Sequence, residues 1–173
     1  MAKVTVLLTP EEIDRRLDEM AKAISAAYAG KPVALVCVLR GAVVFAVDLA
    51  RKLDADVYFD FIDISSYSGT NSTGAVKINM DLETAVTGKH VLLVEDILDT
   101  GRTLSHLKSY LLTQNPASLK LCVLLDKPDR RVVELAADYV GFTIPDEFVV
   151  GYGLDYDQKY RNLPYVGVLD LEG

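Results

Sequence analysis

The chain has 173 residues, half of them hydrophobic, which suffices for one sizeable core and one domain spanning 1–173. Its net charge of −7 leaves no basic stripe to displace counterions from a phosphate backbone, so general nucleic-acid binding is not expected. No run of about 18 apolar residues could span a bilayer, and Met1 to Pro10 lacks the basic flank, apolar stretch and cleavage site of a secretion signal; a cytoplasmic protein without a membrane partner is expected.

In chain order, Thr9-Pro10-Glu11-Glu12 opens a helix, with Thr as N-cap, Pro at the first helical position and acids in the first turn. It should run to about Ala29 and stop at Gly30 and Pro32. An apolar strand over 33–39 follows, then the tight turn Leu39-Arg40-Gly41, a helix from about Ala42 to Leu53, and a strand from Val57 to Ile64. Residues 65–74 are too polar and glycine-rich for a core and read as a surface loop. Val91 to Val94 is a strand buried on both faces, a helix runs from about Leu104 to Gln114, a strand covers Ser118–Leu125, and a helical stretch is predicted around Arg130–Ala136. Strands alternating with helices predict an α/β fold with a mostly parallel, doubly wound sheet flanked by helices. Cys37 and Cys122 sit inside apolar strands and read as small buried hydrophobes, while His90 and His106 carry no assignment.

The segment Val91-Leu-Leu-Val-Glu95-Asp96-Ile-Leu-Asp99-Thr100-Gly101-Arg102-Thr103-Leu104 holds the most chemistry. A buried parallel strand delivers its last residues to the carboxyl edge of the sheet, where open α/β folds bind ligands. The turn into the next helix gathers backbone N–H groups and the hydroxyls of Thr100 and Thr103 around Gly101, a cradle for an anion. Glu95 and Asp96 are acceptor-only groups suited to ribose hydroxyls or to a hydrated Mg²⁺. Asp99, separate on the loop, is the best-placed general acid/base.

Two common nucleotide folds are excluded. Gly69-Thr-Asn-Ser-Thr-Gly74 has the glycine spacing of a P-loop but continues Ala75-Val76 instead of Lys-Ser/Thr. Gly151-Tyr-Gly153 continues Leu154-Asp155-Tyr156, without the third glycine of a dinucleotide-binding turn. Residues 91–104 instead resemble the phosphoribosyl pyrophosphate motif of type I phosphoribosyltransferases, in the form carried by the hypoxanthine-guanine branch of that family. Leu39-Arg40-Gly41, Ser66-Tyr67, Lys127 and the run from Val140 through Phe148 and Asp155 to Arg161 match that branch in order and spacing. The resemblance extends from about Val33 to Leu169.

The resemblance implies the type I phosphoribosyltransferase fold, with a small hood from the C-terminal segment. It implies purine salvage: transfer of a 5-phosphoribosyl group from phosphoribosyl pyrophosphate to hypoxanthine or guanine, giving IMP or GMP and pyrophosphate, with Mg²⁺ as cofactor. Glu95, Asp96, Asp99, Thr100, Gly101, Arg102 and Thr103 would hold the phosphoribosyl group, with Asp99 catalytic. Arg40, Gly41, Ser66, Tyr67 and Arg161 would bind pyrophosphate, and the family commonly holds the Leu39-Arg40 peptide cis when ligand is bound. Lys127, Phe148, Val149 and Asp155 would bind the purine: lysine has donors only, which suits a 6-oxopurine and opposes the amino group of adenine. Metal would fall to Glu95, Asp96 and Asp155, and a homodimer or homotetramer is expected. Two alternatives differ in a stated way: a xanthine-preferring enzyme, distinguished only at the two-position edge of the base, and a nucleic-acid-binding regulator on the same fold, which the acidic charge disfavours.

Overall fold

The computed structural model describes residues 2–66 and 76–172. Thr9 caps the first helix as expected: its hydroxyl accepts from Glu12 N at 3.2 Å, and the Glu12 carboxylate accepts from Thr9 N at 3.4 Å. This helix, α1 (Pro10–Tyr28), follows strand β1 (Lys3–Leu8) and buries Ile13, Leu17, Met20 and Ile24 along one stripe. Then come β2 (Val33–Leu39), α2 (Val43–Lys52), β3 (Val57–Ser66), β4 (Val76–Met80), β5 (His90–Leu98), α3 (Arg102–Leu112), β6 (Ser118–Asp126), β7 (Tyr139–Thr143), β8 (Val149–Val150) and β9 (Val166–Asp170).

Six strands form the main sheet in the order β4-β3-β2-β5-β6-β7, parallel except for β4. The period-two alternation of β-structure divides its apolar residues between two cores. Leu35, Cys37, Leu92, Val94, Cys122 and Leu124 pack with Leu17, Phe45 and Leu49 of α1 and α2. Val36, Val38, Val91, Leu93, Leu121 and Val123 pack with Leu104, Leu107 and Leu111 of α3. Both cysteines are free and buried. No helix among the described residues is long and apolar enough to cross a membrane.

Three expectations need correction. β5 does not end at Val94 but continues through Glu95 and Asp96 to Leu98, so the acids stand within the strand, paired alongside β6. The predicted helix around Arg130–Ala136 does not form; only a 3₁₀ turn, Pro128–Arg130, is present. The groups that would have built that helix bond elsewhere: Val132 N donates to Thr100 O at 3.0 Å, and the Arg131 side chain takes Leu135 O at 2.6 Å. The hood, finally, is not C-terminal alone. It is a three-stranded antiparallel sheet in the order β1-β9-β8, so the first residues of the chain complete it.

Phe45 is fully buried between α1 and the sheet. Phe45→Ala should therefore lower the unfolding free energy by ~3–5 kcal/mol, through lost burial and a residual cavity, as measured by urea denaturation.

Candidate active site

The carboxyl edge of the main sheet gathers three turns: Leu39 to Ala42 after β2, Asp99 to Gly101 after β5, and Lys127 to Arg131 after β6. The first brings backbone against acid. A Cβ on Gly41 would lie 1.9 Å from an Asp96 carboxylate oxygen, so only glycine lets this turn pass so close. The Leu39-Arg40 peptide is cis, and the Arg40 side chain is exposed. The second turn has Gly101 at φ 82°, a left-handed conformation that favours glycine, at the N-terminus of α3, where backbone N–H groups gather at the head of a helix.

Two adjoining cavities open here and share Asp96, Ile97 and Asp99. One, of about 170 Å³, is bounded by Glu95, Gly101, Thr103 and Leu104. The other, of about 300 Å³, is bounded by Lys127, Arg130, Phe148, Val149, Leu154 and Asp155. A larger hollow of about 370 Å³ lies beside Pro32, Tyr58 and Lys89, but there the parallel strands begin. Ligands of open α/β sheets collect where the strands end.

The electrostatics of the edge are unusual. Burial, then the neighbouring Asp96, holds the Glu95 carboxyl well above the usual carboxylate range, and burial likewise raises Asp96. Glu95 accepts from Asp96 N at 2.9 Å and Asp96 from Ile97 N at 2.7 Å, and both residues line the smaller cavity. Lys127 is 8% exposed, and burial pushes its ammonium below the ordinary lysine range. Asp146 opposes that shift from 3.9 Å while also pairing with Arg130 at 3.5 Å. Asp99 accepts from Thr100 N at 2.6 Å.

The structure thus brings Glu95, Asp96, Asp99, Gly101 and Thr103 to one cavity, and Asp96, Asp99, Lys127, Phe148, Val149 and Asp155 to the next. Phe148 is 46% exposed and meets Tyr156 edge-on at 5.7 Å. Thr100 and Arg102 are not among the residues lining either cavity; the Thr100 hydroxyl accepts from Arg102 N at 3.4 Å. Nor is Arg161, which lies behind the Gly153 backbone: it donates to Gly153 O at 2.7 Å and pairs with Asp155 at 3.2 Å. Ser66 ends β3, exposed, and Tyr67 lies outside the described residues. Among the described residues, no three His, Cys, Asp or Glu side chains converge to hold a metal by themselves, so Glu95, Asp96 and Asp155 do not form such a group. Sequence reasoning missed Ile97, Leu154 and Arg130 as wall residues. For Arg130, its place three residues beyond Lys127 was the available signal.

Because its charged form is penalised by burial, Lys127 costs the folded state most where it is protonated. Lys127→Met should raise the unfolding temperature at neutral pH, and the gain should shrink as pH climbs towards the ordinary lysine range near ~10; melting curves across pH check this.

The description of one family model, a phosphoribosyl transferase domain, fits residues 5–157. The hypoxanthine-guanine phosphoribosyltransferase of Lactococcus lactis is 50% identical over 168 residues, covering 96% of this chain and 91% of that protein. A crystal structure of a hypoxanthine-guanine phosphoribosyltransferase from Bacillus anthracis superposes with a TM-score of 0.93 at 44% identity, covering 98% of this chain and 99% of that one. A hypoxanthine phosphoribosyltransferase from Staphylococcus aureus gives 0.93 at 47% identity, over 96% of this chain and 91% of that one.

Proposed function

The chain belongs to the phosphoribosyl transferase domain family, and within it we propose that it is a purine-salvage pentosyltransferase that moves the 5-phosphoribosyl group of phosphoribosyl pyrophosphate onto hypoxanthine or guanine. The products are IMP or GMP and pyrophosphate. The observation that carries this reading is the pair of adjoining cavities that share Asp96, Ile97 and Asp99, one walled by the Gly101 turn and the other by Lys127 and Phe148. In this reading the first takes the ribose 5-phosphate and the second the planar base. Whole-chain kinship to enzymes that carry hypoxanthine and guanine in their names supports the same substrates.

In this reading the amides at the start of α3 and the Thr103 hydroxyl anchor the 5-phosphate, with Thr100 and Arg102 flanking them, while Glu95 and Asp96 orient the ribose hydroxyls. The turn at Arg40 and Gly41 lies against Asp96 and receives pyrophosphate, with Arg161 supporting it through Gly153 and Asp155. A purine nitrogen attacks the anomeric carbon as the carbon–oxygen bond to pyrophosphate breaks. Asp99 takes up or shares the proton of the opposite purine nitrogen. Lys127 donates to the six-position oxygen, which an adenine amino group could not accept, and Phe148 stacks on the base beside Val149. Holding both ends of the sugar while its carbon moves uses orientation and fixed electrostatics.

Mg²⁺ suits this edge. Burial and close approach leave Glu95 and Asp96 at a cost when both are charged, which a cation relieves, and Mg²⁺ needs only one or two carboxylates when substrate oxygens complete its shell. Glu95 and Asp96 would hold one ion and Asp155, across the base cavity, a second, with substrate oxygens and water completing each shell; bound there they would neutralise charge on the departing pyrophosphate. We place the enzyme in the cytoplasm, in keeping with two free buried cysteines. The whole chain reads as one domain, since β9 returns to pair with β1. A homodimer or homotetramer is supported by the apolar shelf of Val47, Ala50, Phe59 and Phe61.

Purified protein given phosphoribosyl pyrophosphate, Mg²⁺ and hypoxanthine is expected to form IMP, and Asp99→Asn to lower kcat by ~10²–10⁴ with a smaller change in KM for phosphoribosyl pyrophosphate. Absence of IMP from the wild-type enzyme would overturn the function, and unchanged turnover in the variant would overturn the role of Asp99.

A further inference from the structure

Resting on that reading, we propose that Arg131 is a positioning residue that clamps the phosphate loop to the purine-reading end of the site. Its guanidinium serves three partners at once. Nε donates to the Asp99 carbonyl at 3.0 Å, Nη1 donates to the Leu135 carbonyl at 2.6 Å, and Nη2 pairs with the Asp126 carboxylate. Asp99 belongs to the phosphate loop and to both cavities, while Asp126 immediately precedes Lys127. One side chain therefore holds the backbone of the acid/base residue and the residue next to the base-reading lysine.

Neighbouring contacts make the connection a strap rather than a single bond. Val132 N donates to Thr100 O at 3.0 Å, and Lys127 N donates to Leu98 O at 2.9 Å. The strap lies directly on the loop: a Cβ added to Gly101 would meet a Val133 methyl at 2.9 Å and Arg131 Cδ at 3.2 Å. The Arg131 and Asp126 side chains are only 18% and 19% exposed, so this pair is not one of the solvated surface bridges that contribute little. Arg131 lines neither cavity, so it acts through the residues that do. A lysine could keep the charge beside Asp126 but not the planar fork that reaches the two carbonyls.

The test is Arg131→Lys, with steady-state kinetics for both substrates and a melting curve. A role confined to the ion pair is restored by lysine, leaving both KM values at wild-type level. The clamp is not restored. KM for phosphoribosyl pyrophosphate and KM for hypoxanthine should then rise together, and kcat/KM should fall by about 10- to 100-fold, the scale of a misplacement of about 1 Å, while the protein still unfolds cooperatively. If the lysine variant does not fold, Arg131→Gln, which keeps a planar donor, answers the same question. Values of kcat/KM within twofold of wild type in either variant, or a rise confined to one substrate, would overturn the clamp. Wild-type turnover measured alongside keeps the two claims separate: an active wild type with an unimpaired variant removes the clamp and leaves the transferase reading standing.

Discussion

Two adjacent carboxylates, Glu95 and Asp96, stand in a central strand of the main sheet, with the Gly41 turn pressed against the second. Burial raises both above their ordinary range, and the charge of Asp96 raises Glu95 further. A fold does not gain stability from such a pair; it carries one where a ligand will use it. The strands on either side, β2 and β6, supply the rest of the edge: the turn after β2 meets Asp96, and the turn after β6 brings Lys127 to the same cleft. Moving β5 by one residue would exchange the faces of its apolar residues and carry the acids away from both turns.

The site divides labour along its length. At one end backbone amides and small side chains surround the place that the proposed reading gives to the 5-phosphate, and geometry there depends on a left-handed glycine at the head of a helix. At the other, a nearly buried lysine and a half-exposed phenylalanine wall the cavity that the proposed reading gives to the purine. Asp96, Ile97 and Asp99 belong to both ends, so in the proposed reading the reacting bond lies beside these three residues. Arg131 and Val132 tie one end to the other, through Asp99 O, Asp126 and Thr100 O, where a helix was expected around Arg130–Ala136.

Much of this was legible in the sequence because it is local. The capping box at Thr9, the apolar run 33–39 and the acid-rich end of β5 each declare themselves within about ten residues, and the structure sets β2 at the residues expected. What was hidden depends on distant partners. β1 pairs with β9 from the opposite end of the chain, and the two-residue strand β8 has meaning only beside β9. The helix expected around Arg130–Ala136 is absent, and there the Arg131 side chain bonds Asp99 O and Asp126 while Val132 N donates to Thr100 O. The candidate roles of Lys127 and Phe148 came from family resemblance; the burial of Lys127 and the cleft it shares with Phe148 then gave them a physical setting.

The most direct test of the carboxylate pair as a stored cost released by ligand is thermal unfolding of the wild type and of the double variant Glu95→Gln, Asp96→Asn, each with and without Mg²⁺ and phosphoribosyl pyrophosphate. Both amides keep the carbonyl oxygens that accept from Asp96 N and Ile97 N, so the fold is retained. The ligand-free variant is expected to melt above the ligand-free wild type. Ligand at about 100 times its Kd should stabilise the wild type by ~2.7 kcal/mol and leave the variant unmoved. A variant that melts lower without ligand and is stabilised as much as the wild type with it would contradict the central role given to these two acids.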